Sequence, residues 1–402
     1  MSGLPGGAGP AVRVTLDVSA VPASPAGAGR YVIELARTLA PRDDVDLVLI
    51  ARRGDAGRWG VPATERPRPG DLQAGTLVAA APDRRPVRLA WEQGRLPGLL
   101  DALGPAVHHS PHYTMPERAR VPVVVTIHDL TFFDHPEWHE RSKVVLFRRA
   151  IRVAARRAAA IVCVSETTAA RLRETCEVAV PVVVAPHGVD HGRFRPDEPA
   201  PGSDEAAVRS LGVDPSRPLV VFVGTIEPRK GVAGLVEAFD AVAGRHADAQ
   251  LVLAGQPGWG PDDVGRAVGE ARHGERVVLT GYVPDAAVPA LLRRAAVVVY
   301  PALQEGYGLP ALEALACGAP LVTTSGTAMA EMADGAALLV PPGDVDALAD
   351  ALDAVLGRSG GAGSAEDRRR AGLAVAAART WERSASLHVE AYRLAAATWP
   401  RT

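Results

Sequence analysis

Two glutamates bracket a short turn-forming stretch, Glu305-Gly306-Tyr307-Gly308-Leu309-Pro310-Ala311-Leu312-Glu313. Carboxylates at this spacing can accept hydrogen bonds from polyol hydroxyls, and the glycines between them leave backbone amides open to a ligand. The preceding run, Ala295 to Pro301, is short, apolar and β-branched, as expected of a buried parallel strand entering the loop. From Ala311 to Cys317 the residues are good helix formers, and Gly318 and Pro320 end the run, so Glu313 is expected in the first helical turn. A helix N-terminus behind glycines offers free N–H groups and partial positive charge, a seat for a phosphate or a sugar hydroxyl. The plain alternative is a glycine turn with Glu313 complementing the helix dipole.

Three further stretches carry chemistry-bearing side chains. Leu219 to Gly231 reads as a strand ending at Gly224, followed by the cations Arg229 and Lys230 ahead of a helix beginning near Val232. Such a pair can neutralise phosphate oxygens without a metal, or can simply be a surface pair. Val121 to Ile127 is a strong strand that places His128 and Asp129 just past its end, where open α/β sheets bind ligands. A structural histidine is the competing explanation. His108, His109 and His112 crowd together upstream, but no carboxylate or cysteine is spaced to complete a metal site, so no metal is expected. Near the N-terminus Gly27-Ala28-Gly29 lies between a first strand, Val12 to Val18, and a helix, Arg30 to Leu39. This Gly-x-Gly lacks the third glycine and the tight turn of a dinucleotide fingerprint, which argues against an NAD-dependent dehydrogenase.

These stretches need a scaffold, and the alternation of strand and helix patterns along the chain supplies one. Strands are expected at Val45–Ala51, Leu77–Ala80, Val107–Ser110, Ile161–Ser165 and Val182–Ala185, and again at Leu251–Gly255, Val277–Leu279, Val297–Tyr300, Leu321–Thr324 and Ala337–Val340. That is a doubly wound α/β pattern in two halves. The length of 402 residues accommodates two domains, and 47% hydrophobic with 22% charged residues is globular. The net charge of −2 gives no field to recruit nucleic acid. No window is apolar enough to span a bilayer, the N-terminus lacks signal-peptide features, and three cysteines cannot all pair, so a cytoplasmic protein is expected. The missing export signal also weighs against a solute-binding protein. From Arg141 to Arg157 there are seven basic and no acidic residues at helical periodicity. This basic amphipathic helix could rest on the inner face of a membrane or be a solvated face. Asp44-Val-Asp46 and Asp344-Val-Asp346 read as structural, the second as a helix cap.

The wording of these motifs is specific. Glu-x7-Glu with Gly-x-Gly-x-Pro inside, Val-Thr-Ile-His-Asp-Leu at Val125 to Leu130, Ala-Pro-His-Gly-Val-Asp at Ala185 to Asp190, and Arg229-Lys230 together resemble family-four retaining glycosyltransferases, mannosyltransferase-like branch. The resemblance spans most of residues 12 to 400. It implies a GT-B fold, with two Rossmann-like domains facing a cleft and a C-terminal helix crossing back to the first. The corresponding divisions are a flexible tail 1–10, an acceptor-side domain 11–195, a linker 196–218, a nucleotide-sugar domain 219–380 and a final helix in 381–402. In this family the donor would meet Gly29, Arg229, Lys230, Glu305, the stretch Gly306, Tyr307, Gly308 and Leu309, and Glu313 at the ribose. The nucleobase would meet the backbone of Tyr282 and Val283. His128, Glu305 and Lys230 would serve catalysis, and His109, His112 and Asp129 would line the acceptor side. Many relatives carry a basic residue where this chain has Thr225, so either Arg229 carries more of the phosphate role or its partner is missing. The resemblance implies hexose or deoxyhexose transfer, mannose- or rhamnose-like, from a nucleotide-diphosphate sugar to a glycan, lipid-linked or small-molecule acceptor, without a metal. A glycogen-synthase-like or phosphorylase-type enzyme, or a non-catalytic sugar-binding protein, are the alternatives on the same fold.

Overall fold

The computed structural model describes residues 11–23, 25, 27–59, 63–64, 75–258, 262–357 and 362–399. The tail 1–10 lies outside the described residues. The chain divides into two units, Met1–His187 with Trp381–Thr402, and Gly188–Thr380.

In the first unit, strands β1 (Val12–Asp17), β2 (Val45–Arg52), β3 (Ala63–Thr64), β4 (Thr76–Ala81), β5 (Val107–Ser110), β6 (Val123–Ile127), β7 (Ala160–Cys163) and β8 (Val182–Val184) form one sheet. Its order is β3-β4-β2-β1-β5-β6-β7-β8, and every neighbouring pair is parallel. The helices are α1 (Gly27–Leu39), α2 (Arg85–Gly94), α3 (Leu96–Leu103), α4 (Thr131–Asp134), α5 (Arg141–Arg157) and α6 (Glu166–Thr175), joined by the C-terminal helix Trp381–Thr398. β5, β6 and β7 are buried along their whole length, as parallel strands covered on both faces must be. The strand order reverses between β1 and β5. The chain ends leaving those two strands therefore diverge and open a crevice at their C-terminal edge.

The C-terminal helix is fastened to this unit by a chain of buried polar groups. Its direction is fixed by the Ser384 carbonyl, which accepts from His388 Nδ1–H at 2.7 Å. His388 Nε2 must then accept from the Tyr31 hydroxyl (2.8 Å), Tyr31 from Thr126 (2.9 Å), and Thr126 from His109 Nε2–H (2.8 Å). His109 Nδ1 is left to accept from Tyr392 Oη, 2.8 Å away. Each donor meets one acceptor, and both histidines must be neutral. Burial suits this, because it lowers the His109 and His388 imidazoles, His388 to about 4. His109 therefore does not line an acceptor site: it is fully buried and both ring nitrogens are engaged.

The second unit holds β9 (Leu219–Val223), β10 (Gln250–Ala254), β11 (Val277–Gly281), β12 (Ala295–Tyr300), β13 (Leu321–Thr324) and β14 (Ala337–Val340), in the order β11-β10-β9-β12-β13-β14, all parallel. Its helices are α7 (Ser203–Ser210), α8 (Val232–Ala243), α9 (Asp263–Glu270), α10 (Val288–Arg294), α11 (Leu309–Ala316), α12 (Ala328–Ala333), α13 (Val345–Leu356) and α14 (Ala362–Ala377). Order reverses between β9 and β12. The stretch read as a linker, 196–218, contains α7, which packs on α10 and is pinned by a buried bidentate pair from Arg293 to Asp204 at 2.6 and 2.7 Å. It is part of the second unit. Asp344 caps α13 by accepting from the Ala347 amide at 2.9 Å. No helix among the described residues is long and apolar enough to cross a membrane.

Tyr31→Phe removes the hydroxyl at the centre of the polar chain, leaving Thr126 without an acceptor and His388 Nε2 without a donor. The expected cost is about 1–3 kcal/mol, a fall of several degrees in melting temperature by circular dichroism. An unchanged melting temperature would contradict the directed chain.

Candidate active site

At the reversal of the second sheet, the segments leaving β9 and β12 meet. After Gly224 the chain runs through a single 3-10 turn, Pro228–Lys230, ended by Gly231. Gly231 has φ 66°, and a Cβ there would stand 2.3 Å from the Pro301 carbonyl oxygen, so no side chain fits and the turn is held against the end of β12. This aims Lys230 at Tyr300 and Glu305. Its Nζ donates to Tyr300 Oη at 2.7 Å and to Glu305 Oε2, while Arg229 reaches the same carboxylate oxygen from Nη1 at 3.1 Å. Glu227 holds the other edge of the guanidinium, Arg229 Nε to Glu227 Oε2 at 2.9 Å. Tyr300 is buried and stacks on Phe222, ring centroids 5.6 Å apart.

Electrostatics decides the protonation states. Burial alone would push the Glu305 carboxyl up, but Lys230 and Arg229 outweigh it and bring it down to about 2. Burial acts to lower the Lys230 ammonium, and Glu305 and Tyr300 more than reverse it, so it stays charged. The site is thus a buried lysine and a partly buried arginine sharing one carboxylate. An incoming anion with several oxygens can take over hydrogen bonds that now converge on a single Oε2.

The other sequence candidates in this unit fall around that cluster or on its flanks. Gly308, in the left-handed conformation, precedes α11, whose first turn contains Leu309 and Pro310. Pro310 favours an earlier start than Ala311, which puts Glu313 in the second turn rather than the first. Glu313 is buried there, as is Leu309. Tyr307 is buried, with its hydroxyl bonded to Arg379, and its phenol is raised by that burial. Val283 is buried whereas Tyr282 is 62% exposed, beside Gly281 at the end of β11.

The reversal of the first sheet gathers a different set. His128 follows β6 and donates Nε2–H to the Pro111 carbonyl at 2.8 Å, which fixes the tautomer and leaves Nδ1 as an acceptor. Burial lowers its imidazole below the ordinary value, so it is neutral. His112 packs edge-on to it, centroids 5.4 Å apart, and lines a cavity of about 330 Å³. Asp129 turns back onto its own chain just ahead of α4, its Oδ1 accepting from the Thr131 amide (3.0 Å) and hydroxyl (2.7 Å). Gly29 is not in a loop. Helix α1 begins at Gly27, and a Cβ on Gly29 would lie 2.9 Å from Pro25 Cβ and 3.3 Å from Pro22 Cδ, so the proline-bearing segment closes directly over the first helical turn.

Sequence reasoning missed Tyr300 as the partner of Lys230, and missed Glu92. Glu92 is buried on α2 in the same cavity as His112, where it accepts from Thr114 Oγ1 at 2.9 Å. Burial and the neighbouring Asp17 push its carboxyl up to about 7. The available signal was the helical spacing of Arg85, Arg88 and Glu92. Among the described residues no group of His, Cys, Asp or Glu could hold a metal ion. On α5, Arg149 pairs with Glu117, Arg156 with Glu177 and Lys143 with Glu140.

Two open parallel sheets, each with polar groups gathered at its order reversal, are the architecture of the GT-B fold, and comparison with known proteins gives the family. Residues 25–193 match the Glycosyltransferase Family 4 model and residues 217–358 the model for Glycosyl transferases group 1. The chain belongs to glycosyltransferase family 4. It is 27% identical over 377 residues to the O-antigen chain mannosyltransferase B of Escherichia coli, covering 92% of this chain and 96% of that one. It is 30% identical over 327 residues to the D-inositol 3-phosphate glycosyltransferase of Acidothermus cellulolyticus, 74% and 70% covered. Anabaena HepE in complex with UDP-glucose has the same fold, with a TM-score of 0.71 at 16% identity over 94% of this chain and 99% of that one.

Glu92 makes stability depend on pH. Its folded value lies above its ordinary 4.5, so the folded state holds the extra proton and Glu92 costs nothing below that value. As pH rises from about 4.5, where the unfolded carboxyl ionises, to about 7, where the folded one does, a cost of up to roughly 3 kcal/mol builds up. Glu92→Gln is therefore expected to raise the melting temperature relative to wild type near pH 8 and to leave it unchanged near pH 4.5. Equal differences at both pH values would contradict a raised carboxyl.

Proposed function

We propose that this glycosyltransferase moves a mannose- or rhamnose-like hexosyl group from a nucleotide-diphosphate sugar, with retention of anomeric configuration and without a metal. The observation that carries the reading is the convergence of Arg229 and Lys230 on Glu305 at the reversal of the second sheet. In this reading the donor diphosphate displaces Glu305 from part of its hydrogen bonding, and the two cations stabilise the charge that gathers on the leaving group. Glu305, freed toward the sugar, accepts from its hydroxyls, and the amides of Gly306 to Leu309 hold sugar and phosphate. Glu313 takes the ribose, and the backbone of Tyr282 and Val283 meets the base. His128, neutral with Nδ1 as acceptor, hydrogen-bonds the transferred sugar. No side chain is assigned as a covalent nucleophile: the leaving phosphate assists deprotonation of the acceptor on the same face.

The similarity to a mannosyltransferase over nearly the whole chain favours a mannose-like donor. UDP-glucose bound to HepE supports a nucleotide sugar as the donor class. Three buried cysteines free of disulfides are compatible with a cytoplasmic setting. Membrane contact through α5 forms no part of the reading, because acidic neighbours neutralise several of its cations.

Lys230→Ala is expected to lower kcat by about 10²–10³ with a smaller change in KM, since its charge matters most as the leaving group departs. Glu313→Ala is expected to raise the donor KM with a smaller change in kcat. Turnover should withstand EDTA, and the product anomer read by NMR should match the donor's. Unchanged kinetics in both variants, or an inverted product, would overturn the assignment.

A further inference from the structure

The cavity of the first unit has a polarity that the transferase chemistry at the second sheet does not explain. It sits at the order reversal, where Asp17 ends β1 and Ser110, Pro111 and His112 leave β5. Its third wall is α2, from which Arg85, Arg88 and Glu92 project at positions i, i+3 and i+7, one face of a helix. The three are ordered along the depth of the cavity. Arg85 at the helix start is exposed, Arg88 is half-buried, and Glu92 is 4% exposed at the inner end.

The floor is built from two hydrogen-bonded carboxyl groups. Glu92 accepts from Thr114 and from Gln93 Nε2 at 3.2 Å, and Asp17 Oδ1 accepts from the Ser19 amide at 2.9 Å. Because Glu92 is half-protonated near neutral pH, it can donate as well as accept, which suits ring hydroxyls. Tyr113 adopts φ 62°, an uncommon conformation for a residue with a side chain, between His112 and Thr114, which both line the cavity.

The rim is cationic. The Arg88 guanidinium makes no hydrogen bond among the described residues, and burial lowers it even with Asp17 and Glu92 nearby. Arg85 lies over the Phe147 ring at 5.9 Å. Two guanidiniums one turn apart, at the positive end of a helix, match the geometry of a phosphate or carboxylate. A ligand ammonium would face both of them.

We propose that this cavity selects an acceptor carrying an anionic group, a phosphate ester or carboxylate, on a polyhydroxylated ring: Arg85 and Arg88 clamp the anion at the rim, and Asp17, Glu92 and His112 take ring hydroxyls at the floor. This rests on the transferase reading and names the acceptor class for it. The volume of about 330 Å³ is in the range of small-ligand pockets and admits one ring at a time.

Calorimetry on the full chain tests it with mannose, mannose 6-phosphate, mannosamine and dihexanoyl phosphatidylinositol as probes. A phosphorylated probe is expected to bind at least about tenfold more tightly than mannose, with Arg88→Ala removing that advantage and Arg88→Lys retaining part of it. Selective binding of the soluble ester would identify free sugar phosphates as the source, and of the lipid probe, a headgroup. Preference for mannosamine, equal binding of neutral and phosphorylated probes, no binding of any probe, or a preference that survives Arg88→Ala in a protein with wild-type circular dichroism would overturn the proposal. Stabilisation of the wild-type protein by GDP, UDP or dTDP reads the second unit separately. Its absence alongside Arg88-dependent phosphate binding would overturn the transferase reading instead.

Discussion

A lysine that is 6% exposed must keep its charge paired, and in this protein the pairing is shared: Lys230 and Arg229 converge on one oxygen of Glu305. Much of the second unit is arranged to make that possible. Gly231 permits the turn that brings Lys230 against β12, Tyr300 supplies a second acceptor, and Glu227 orients the guanidinium. Breaking a buried pair by removing one partner typically costs about 3–5 kcal/mol, so the cluster constrains folding as well as binding. The same constraint prepares the site for an anion. Lys230 is already desolvated and Arg229 already oriented, and a ligand with more oxygens can replace part of their bonding to Glu305 without a large rearrangement.

The first unit solves a related problem with neutral groups. Five side chains, from Tyr392 through His109, Thr126 and Tyr31 to His388, pass hydrogen bonds in one direction to a backbone carbonyl. No charge is buried in that chain, and the C-terminal helix is bound to the sheet by it. Next to this saturated core lies a cavity whose groups are only partly satisfied, with Glu92 near its titration point and the Arg88 guanidinium without a hydrogen-bond partner among the described residues. Within one sheet, the polar groups facing the C-terminal helix are locked while those at the order reversal are left to meet a ligand.

Much of this was legible in the sequence because parallel strands and the loops after them have local signatures. Val107–Ser110, Leu321–Thr324, Ala337–Val340 and the helix Arg141–Arg157 fall at the residues their patterns indicate. What escaped depends on tertiary partners. His109 looks like its neighbour His112 in sequence, yet the register of β5 turns it toward Tyr392 and the cavity receives only His112. Helix α7 hides in a Pro- and Gly-rich stretch because a buried Asp204–Arg293 pair, contributed from elsewhere, stabilises it. Gly27 and Gly29 read as a loop, since glycine is a weak helix former, but the close approach of Pro22 and Pro25 needs a residue without a side chain inside the helix. Glu92 drew no attention because a glutamate on a charged helix is ordinarily solvated; only the sheet reversal beneath α2 makes it a buried acid.

If Arg229 and Lys230 form a seat for a diphosphate, nucleoside diphosphates must bind more tightly than the corresponding monophosphates. Calorimetry of GDP against GMP, UDP against UMP and dTDP against dTMP, each in EDTA, isolates the second phosphate from the base. The account predicts that one diphosphate binds at least about tenfold more tightly than its monophosphate, with the gain falling as salt is added. Equal binding of a diphosphate and its monophosphate, or no binding of either in the folded protein, would contradict it.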